Sequence, residues 1–72
     1  MDPSFFTELL SDTLQSEGSI SIDTALGDIP EWDSMAAMVV LALAERKFSK
    51  KIFLADLKNL TTVNDLYELL TK

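Results

Sequence analysis

An uninterrupted apolar run from Met35 to Ala44 restricts the folding options of this 72-residue chain more than any other segment. The run is far shorter than the about 20 residues that cross a membrane, so we expect no membrane-spanning helix. No basic flank precedes a hydrophobic segment at the N-terminus, so we expect no signal peptide and a cytoplasmic protein. A helix that is apolar on all sides lies either at the centre of a small domain or on a docking surface.

The length and composition exclude several classes of protein. A chain of this length has room for one small core, so we expect a single domain over residues 1–72. It contains neither cysteine nor histidine, which removes disulfides, the usual zinc sites and His-based catalytic triads. The acidic residues of one loop match no calcium-binding spacing, and nothing places two of them at one cleft. They are Asp23, Asp28, Glu31 and Asp33. We therefore expect neither a metal site nor an enzyme.

The charge of the chain is unevenly distributed. The net charge is −6, yet residues 1–45 contain no lysine or arginine. All basic residues come later: Arg46, Lys47, Lys50, Lys51, Lys58 and Lys72. This polarity suits long-range steering of a partner. The basic cluster over 46–51 is short and belongs to an acidic domain, so we expect no nucleic-acid partner.

Helical periodicity extends through most of the chain. It predicts helices over 4–17 and 34–48, a short helix ending near Asn59, and a last helix that begins after Thr61 or Thr62. Residues 18–33 are rich in Ser, Asp, Gly and Pro, and their Ser-Ile-Ser-Ile alternation has no partner strand, so they form a packed loop. The sequence therefore predicts an all-α domain, a four-helix bundle with a long first loop and a short third helix.

The apolar residues of the two terminal helices fall on one face each. Gly18 is the predicted stop signal of the first helix, and Thr62 with Asp65 nearly matches a capping box at the start of the last. The first helix presents Phe6, Leu9, Leu10 and Thr13, with Phe5 and Leu14 at the edges of this face. The last helix presents Val63, Leu66, Tyr67 and Leu70.

The second predicted helix is apolar on two opposite faces. If its terminal charges stay in water, the buried stripe consists of Ala37, Val40, Leu41, Ala44 and Phe48. The opposite face has Met35, Met38, Val39 and Ala42, with outward positions that also include Ala36 and Arg46. This second face belongs either to a central buried helix or to a docking surface, and flexible methionines suit a surface that fits several partners.

A serine opens the second helix. Ser34 follows Asp33 at the end of a proline-containing loop, where free backbone N–H groups and the helix dipole favour an attached anion. Ser34 is therefore a candidate for a phosphate-linked modification. The alternative is that Asp33 and Ser34 are ordinary N-cap residues, and the sequence does not decide which of them is the cap.

The order of these features resembles the acyl carrier proteins of the phosphopantetheine-binding superfamily. The triplet Asp33-Ser34-Met35 follows Trp32, an aromatic residue closes the second helix, a short third helix comes next, and Thr62-Val63 opens the fourth. The resemblance extends from about Ile22 to the C-terminus, and the first helix has the length and place expected of such a carrier.

The resemblance implies a covalent cofactor and a set of partners. In such carriers the serine matching Ser34 is esterified by 4′-phosphopantetheine, which a phosphopantetheinyl transferase delivers from coenzyme A and whose thiol holds an acyl or related group as a thioester. Asp33 matches the acidic residue expected to cap the helix and meet the transferase. The other expected partners are an acyl-loading ligase or synthase and a downstream acyltransferase, and the carrier itself is expected to be a monomer.

Two departures from the family's pattern affect the expected subtype. Carriers of fatty acid synthesis typically dock through an acidic second helix. Here we expect docking through an apolar face formed by Met35, Met38, Val39 and Ala42, with the acidic loop steering the partner. Peptidyl carriers often have a Gly-rich approach to a His-Ser pair, where this chain has Trp32 and Asp33. We expect a carrier dedicated to a lipid, polyketide or cell-surface biosynthetic pathway, or else an aminoacyl or peptidyl carrier.

The sequence leaves two alternatives to a carrier. One is an unmodified helical adaptor that binds a partner helix through residues 35–43, with Ser34 as a mere cap. Another is a small hydrolase, which the lack of histidine and cysteine disfavours. Addition of one phosphopantetheine by a transferase distinguishes a carrier from both.

Overall fold

The computed structural model describes residues 2–16, 18 and 20–71. Within these ranges the chain forms four α-helices and one 3-10 turn, Leu26–Asp28. The helices are α1 (Pro3–Leu14), α2 (Ser34–Phe48), α3 (Leu54–Lys58) and α4 (Val63–Thr71). The described residues contain no strand, only an isolated antiparallel bridge between Ala25 and Thr62. The predicted all-α bundle with a long first loop and a short third helix is confirmed.

Helix α1 begins at a side-chain cap and ends earlier than predicted. The Asp2 carboxylate accepts the backbone N–H of Ser4 at 3.0 Å, and Pro3 occupies the first helical position. The helix ends at Leu14 because Gln15 takes the left-handed conformation, with φ of 55°. The predicted continuation to residue 17 and the stop at Gly18 were wrong, since a glutamine fills the place that glycine usually takes. Position 17 itself lies outside the described residues.

The buried face of α1 is rotated slightly from the predicted one. Phe6, Leu10 and Leu14 are buried, whereas Leu9 and Thr13 are half-buried. Leu14, which the sequence placed at the edge, therefore belongs to the core because it lies one helical turn after Leu10.

The long first loop is bound to the start of α4 by its backbone. The N–H groups of Val63 and Asn64 donate to the carbonyl oxygens of Thr24 and Ile22 at 2.9 and 2.8 Å. In the other direction, the N–H of Leu26 donates to the Thr61 carbonyl at 2.9 Å. These bonds satisfy loop groups without a sheet, so the prediction of a packed loop is confirmed. The 3-10 turn within the loop was not predicted.

Helix α2 lies at the centre of the domain and packs against α1, α3 and α4. Its predicted bounds are correct. Within the predicted buried stripe, the alanines and the valine are buried, whereas Leu41 and Phe48 are half-buried against the core. Ala36 is only 7% exposed, so its predicted outward position was wrong. It lies one turn before Val40 and belongs to the same stripe.

Two aromatic contacts join three helices. The Phe6 ring of α1 packs edge to face against Phe48 of α2 and Tyr67 of α4, with ring centroids 6.1 and 5.2 Å apart. Phe6 is fully buried, so both contacts lie at the centre of the core.

Helix α4 begins with the predicted capping box. The Asp65 N–H donates to Thr62 Oγ1 at 3.2 Å, and Asp65 Oδ2 accepts the N–H groups of Thr61 and Thr62 at 3.0 Å each. The bonds from the Thr62 and Thr61 backbone hold the pKa of the Asp65 carboxyl below its usual value. The buried side chains of α4 are Val63, Leu66 and Leu70, and Tyr67 is half-buried, which confirms the predicted face.

Candidate functional site

The start of α2 is capped by Asp33. Its backbone is extended, and its Oδ1 accepts the N–H of Ala36 at 2.9 Å. Its carbonyl oxygen accepts the N–H of Ala37, also at 2.9 Å. Ser34 is the first residue of the helix and is exposed. The structure thus decides what the sequence left open: the side chain of Asp33 makes the cap, and the Ser34 hydroxyl is left out of it.

The loop before Ser34 is anchored in the core. Leu26, the first residue of the 3-10 turn, is 2% exposed, and Ile29, which directly follows the turn, is 4% exposed. The Trp32 N–H donates to the Ile29 carbonyl at 3.0 Å, and the Trp32 ring packs half-buried against the core. An exposed serine is therefore presented from a corner whose neighbours are fixed by burial and backbone hydrogen bonds.

A cleft of about 170 Å³ opens beside Ser34, between α2 and α3. The loop and the first turns of α2 form one wall, with Trp32 next to the serine. Helix α3 forms the other wall with Leu54, Leu57 and Lys58. The first N–H groups of an α-helix have no partner within the helix, and the dipole adds positive potential there. A hydroxyl-linked anion at Ser34 would therefore lie near both a helix N-terminus and a lysine.

Sequence reasoning did not associate Lys58 with this site. Lys58 lies in α3, and the fold brings it to the cleft of Ser34 through the packing of α3 on α2. A basic residue near the end of a short helix is also an ordinary partner of the helix dipole, so the sequence contains no signal for this role.

The structure places the apolar face predicted for docking on the outside of α2. Met35 is 74% exposed, Met38 64% and Val39 42%, and Ala42 is also exposed. The face begins directly after Ser34. Contiguous exposed apolar side chains are typical of interaction surfaces.

A groove follows this face between α1 and α2. Thr13 and Val39 line both halves of the groove. The half nearer Ser34 also contains Glu31, and the far half contains Arg46 and Lys47. One Glu31 carboxylate oxygen, Oε1, is buried without a hydrogen-bond partner in the described structure. The groove is therefore acidic at one end and basic at the other.

The described residues show neither a cluster of metal ligands nor a membrane-spanning helix. In residues 2–16, 18 and 20–71, no three acidic, histidine or cysteine side chains are placed together as metal ligands. None of the helices in these ranges has the length and apolar character needed to cross a membrane.

Comparison with known proteins identifies the family. The family model described as phosphopantetheine attachment site matches residues 4–70, nearly the whole chain. Searches of curated proteins and of solved structures give no significant match. Members of this family bear covalently attached 4′-phosphopantetheine, and their domains carry acyl groups for biosynthetic enzymes without being catalysts themselves. The chain belongs to the phosphopantetheine attachment family and is a carrier protein similar to acyl carrier proteins.

Proposed function

We propose that Ser34 bears the 4′-phosphopantetheine and that the carrier serves a dedicated lipid, polyketide or cell-surface biosynthetic pathway. The observation that supports Ser34 most directly is that its neighbour, and not Ser34 itself, caps α2. Asp33 makes the capping hydrogen bond, so the exposed Ser34 hydroxyl is not needed by the fold. When attached, the cofactor supplies a terminal thiol that holds the cargo as a thioester.

The residues at this site fit the cofactor. Attachment requires an exposed hydroxyl, and Ser34 is exposed on a corner fixed by Ile29 and Trp32. The Ser34 oxygen forms a bond to the phosphorus of coenzyme A that bears the pantetheine, the pyrophosphate linkage breaks, and adenosine 3′,5′-bisphosphate leaves. The hydroxyl proton passes to a base of the transferase or to water. The new phosphodiester is an anion, which the N-terminus of α2 favours.

We propose that partner enzymes dock on the apolar face of α2. Met35, Met38, Val39 and Ala42 are exposed, and they continue from the attachment serine along one side of the helix. A transferase must reach the Ser34 hydroxyl. A loading ligase or synthase and a downstream acyltransferase must reach the arm attached there, so a surface next to Ser34 serves all of them. The charges at the two ends of the groove, Glu31 and Arg46, give a partner one preferred orientation.

The cargo is proposed to be an acyl group, with an aminoacyl group as the second candidate. Asp33 before the serine favours an acyl-type carrier, whereas small carriers with the same triplet also resemble those that handle amino acids. The single domain over residues 1–72, the monomeric state and the cytoplasmic location stay predictions from the sequence.

Intact-mass analysis tests the attachment. The protein is incubated with coenzyme A and a promiscuous phosphopantetheinyl transferase, and we expect the mass of one phosphopantetheinyl group to be added. Ser34→Ala should gain nothing. Ser4→Ala is the matched control, because Ser4 is also an exposed serine in the first turn of an Asp-capped helix, and this variant should still be modified. Failure of the wild-type protein to gain mass, or modification of Ser34→Ala, would contradict the proposal.

A further inference from the structure

A basic segment over residues 46–58 connects α2 to α3 in an otherwise acidic chain. It comprises the end of α2, the loop after it and α3. The segment contains five basic residues and one acidic residue, a net charge of +4. Because the whole chain carries −6, the remaining residues together carry −10. Positive potential is therefore concentrated on one part of the molecule.

The loop between α2 and α3 is held by hydrogen bonds at both ends. The Lys50 N–H donates to the Ala44 carbonyl oxygen at 3.0 Å, which holds the start of the loop against the last turns of α2. At the other end, the Phe53 N–H donates to Asp56 Oδ2 at 2.9 Å. This bond engages the one acidic side chain of the segment. The loop therefore presents its side chains from a backbone whose ends are fixed.

The side chains of this loop alternate between the core and water. Ile52 packs half-buried against the core, whereas Lys51 and Phe53, on either side of it, are exposed. Phe53 is 63% exposed, and the next residue, Leu54, is 38% exposed. The Phe53 backbone is extended, and an extended chain places alternate residues on one side. The loop therefore projects an aromatic ring beside a lysine.

The composition of this surface favours a lipid bilayer over a protein partner. We call it the lysine patch, which consists of Lys50, Lys51, Phe53, Leu54 and Lys58. A lysine ammonium is a compact point charge that requires no fixed geometry of its partner, and protein interfaces are depleted in lysine and enriched in arginine. Lysines beside exposed phenylalanine and leucine are instead typical of segments that lie at the surface of an anionic membrane.

The acidic part of the molecule does not prevent this contact. The chain extends over 27 × 25 × 19 Å. The Debye length is about 8 Å at physiological ionic strength, so charges on the far side of the domain are largely screened from a surface that the lysine patch touches. An anionic surface repels the acidic side and attracts the lysine patch, so the charge distribution favours one orientation of the bound domain.

From these observations we propose that the lysine patch binds the surface of an anionic phospholipid bilayer. The ammonium groups pair with lipid phosphates, and the Phe53 ring enters the region between headgroups and acyl chains. Leu54 and Lys58 also line the cleft beside Ser34, so the bound surface lies next to that serine. A bound carrier thus holds its cargo close to membrane-bound enzymes. This consequence rests on the proposed attachment at Ser34, whereas the binding does not.

Flotation with lipid vesicles tests the binding, with the unmodified protein in low-salt buffer. Vesicles of equal parts phosphatidylglycerol and phosphatidylcholine should bind the protein, and vesicles of phosphatidylcholine alone should not. The double variant Lys50→Gln, Lys51→Gln should bind about 30-fold more weakly, because it removes two charges near the anionic surface. The double variant Lys50→Arg, Lys51→Arg keeps both charges and should bind as the wild type does. Rising salt should weaken all of this binding.

Variants of Phe53 test whether the ring enters the bilayer. Phe53→Ser should weaken binding about tenfold. Phe5→Ser is the matched control, because it removes a similarly exposed phenylalanine from α1, and it should bind as the wild type does. Trp32 is the only tryptophan of the wild type. Lipids with brominated acyl chains should therefore quench the tryptophan emission of Phe53→Trp more strongly than that of the wild type.

Circular dichroism of every variant verifies that it is folded. Absence of wild-type binding to the phosphatidylglycerol vesicles would overturn the proposal, as would equal binding of the wild type and the glutamine double variant. Binding of polyglutamate without binding of vesicles would assign the lysine patch to an acidic protein and overturn it as well. Because the unmodified protein is used, none of these results depends on the attachment at Ser34, which intact mass tests separately.

Discussion

At the scale of single residues, Asp33 combines an observed role as a helix cap with a proposed role in recognition. Its carboxylate accepts the Ala36 N–H at 2.9 Å, which is a structural role. We also propose that its negative charge meets the phosphopantetheinyl transferase, because it lies directly before the serine. Asparagine keeps an acceptor at the cap but removes the charge, so the two roles respond differently to substitution.

We predict that Asp33→Ala lowers the free energy of unfolding by about 1 kcal/mol, the usual cost of losing an N-cap acceptor. Asp33→Asn should stay close to the wild type in urea unfolding followed by circular dichroism. Because we propose that the transferase recognises the negative charge of Asp33, the Asp33→Asn variant should nevertheless be modified more slowly. Wild-type modification rates for Asp33→Asn would show that Asp33 acts only as a cap.

At the scale of the helix, two adjacent valines of α2 allow docking and folding to be tested separately. Val39 is 42% exposed, and Val40 is fully buried. A glutamate at position 39 remains in water, so Val39→Glu should change the free energy of unfolding by no more than about 0.5 kcal/mol. Val40→Glu places an unpaired charge in the core and should unfold the domain. Circular dichroism distinguishes the two results, and unfolding of Val39→Glu would show that this face is core.

The same substitution tests the docking surface. Val39→Glu should raise the KM of the transferase for the carrier about tenfold, which corresponds to about 1.4 kcal/mol of lost docking free energy. The kcat should change little because position 39 lies more than one helical turn beyond Ser34. An unchanged KM in a folded variant would exclude Val39 from the surface that the transferase contacts.

Among the helices, the features with local sequence signals could be predicted. The bounds of α2 and the capping box of α4 followed from the sequence because local signals specify them: Asp33, Thr62 and Asp65 act within one helical turn. The end of α1 could not be predicted, because Gln15 adopts a left-handed conformation that a glutamine in the sequence does not indicate. The cleft lined by Lys58 could not be predicted from the sequence either, because it depends on how α3 packs against α2.

At the scale of the whole molecule, the attachment corner depends on contacts far away in sequence. The loop that leads to Ser34 is held by backbone bonds between Leu26 and Thr61 and between Val63 and Thr24. Helix α4 in turn packs against α1 and α2. A loss of core packing should therefore loosen the loop before Ser34, even when the substituted residue is distant from it.

Two adjacent residues, Phe5 and Phe6, test how the loop before Ser34 depends on core packing. Phe6 is fully buried between Phe48 and Tyr67, whereas Phe5 is 57% exposed. We predict that Phe6→Ala lowers the free energy of unfolding by about 3–5 kcal/mol. Phe5→Ala should lower it by no more than about 0.5 kcal/mol. Urea unfolding followed by circular dichroism measures both.

A loss of this size is a large part of the total stability of a small domain, which is about 4–11 kcal/mol for a chain of this length. Phe6→Ala should therefore populate unfolded protein and be modified at Ser34 more slowly than Phe5→Ala, although neither phenylalanine lines the cleft beside Ser34. Warming should widen the difference between the two modification rates, because the unfolded fraction of Phe6→Ala rises first. Equal rates and equal urea midpoints for the two variants would show that the contact of Phe6 with Phe48 and Tyr67 does not hold α1, α2 and α4 together.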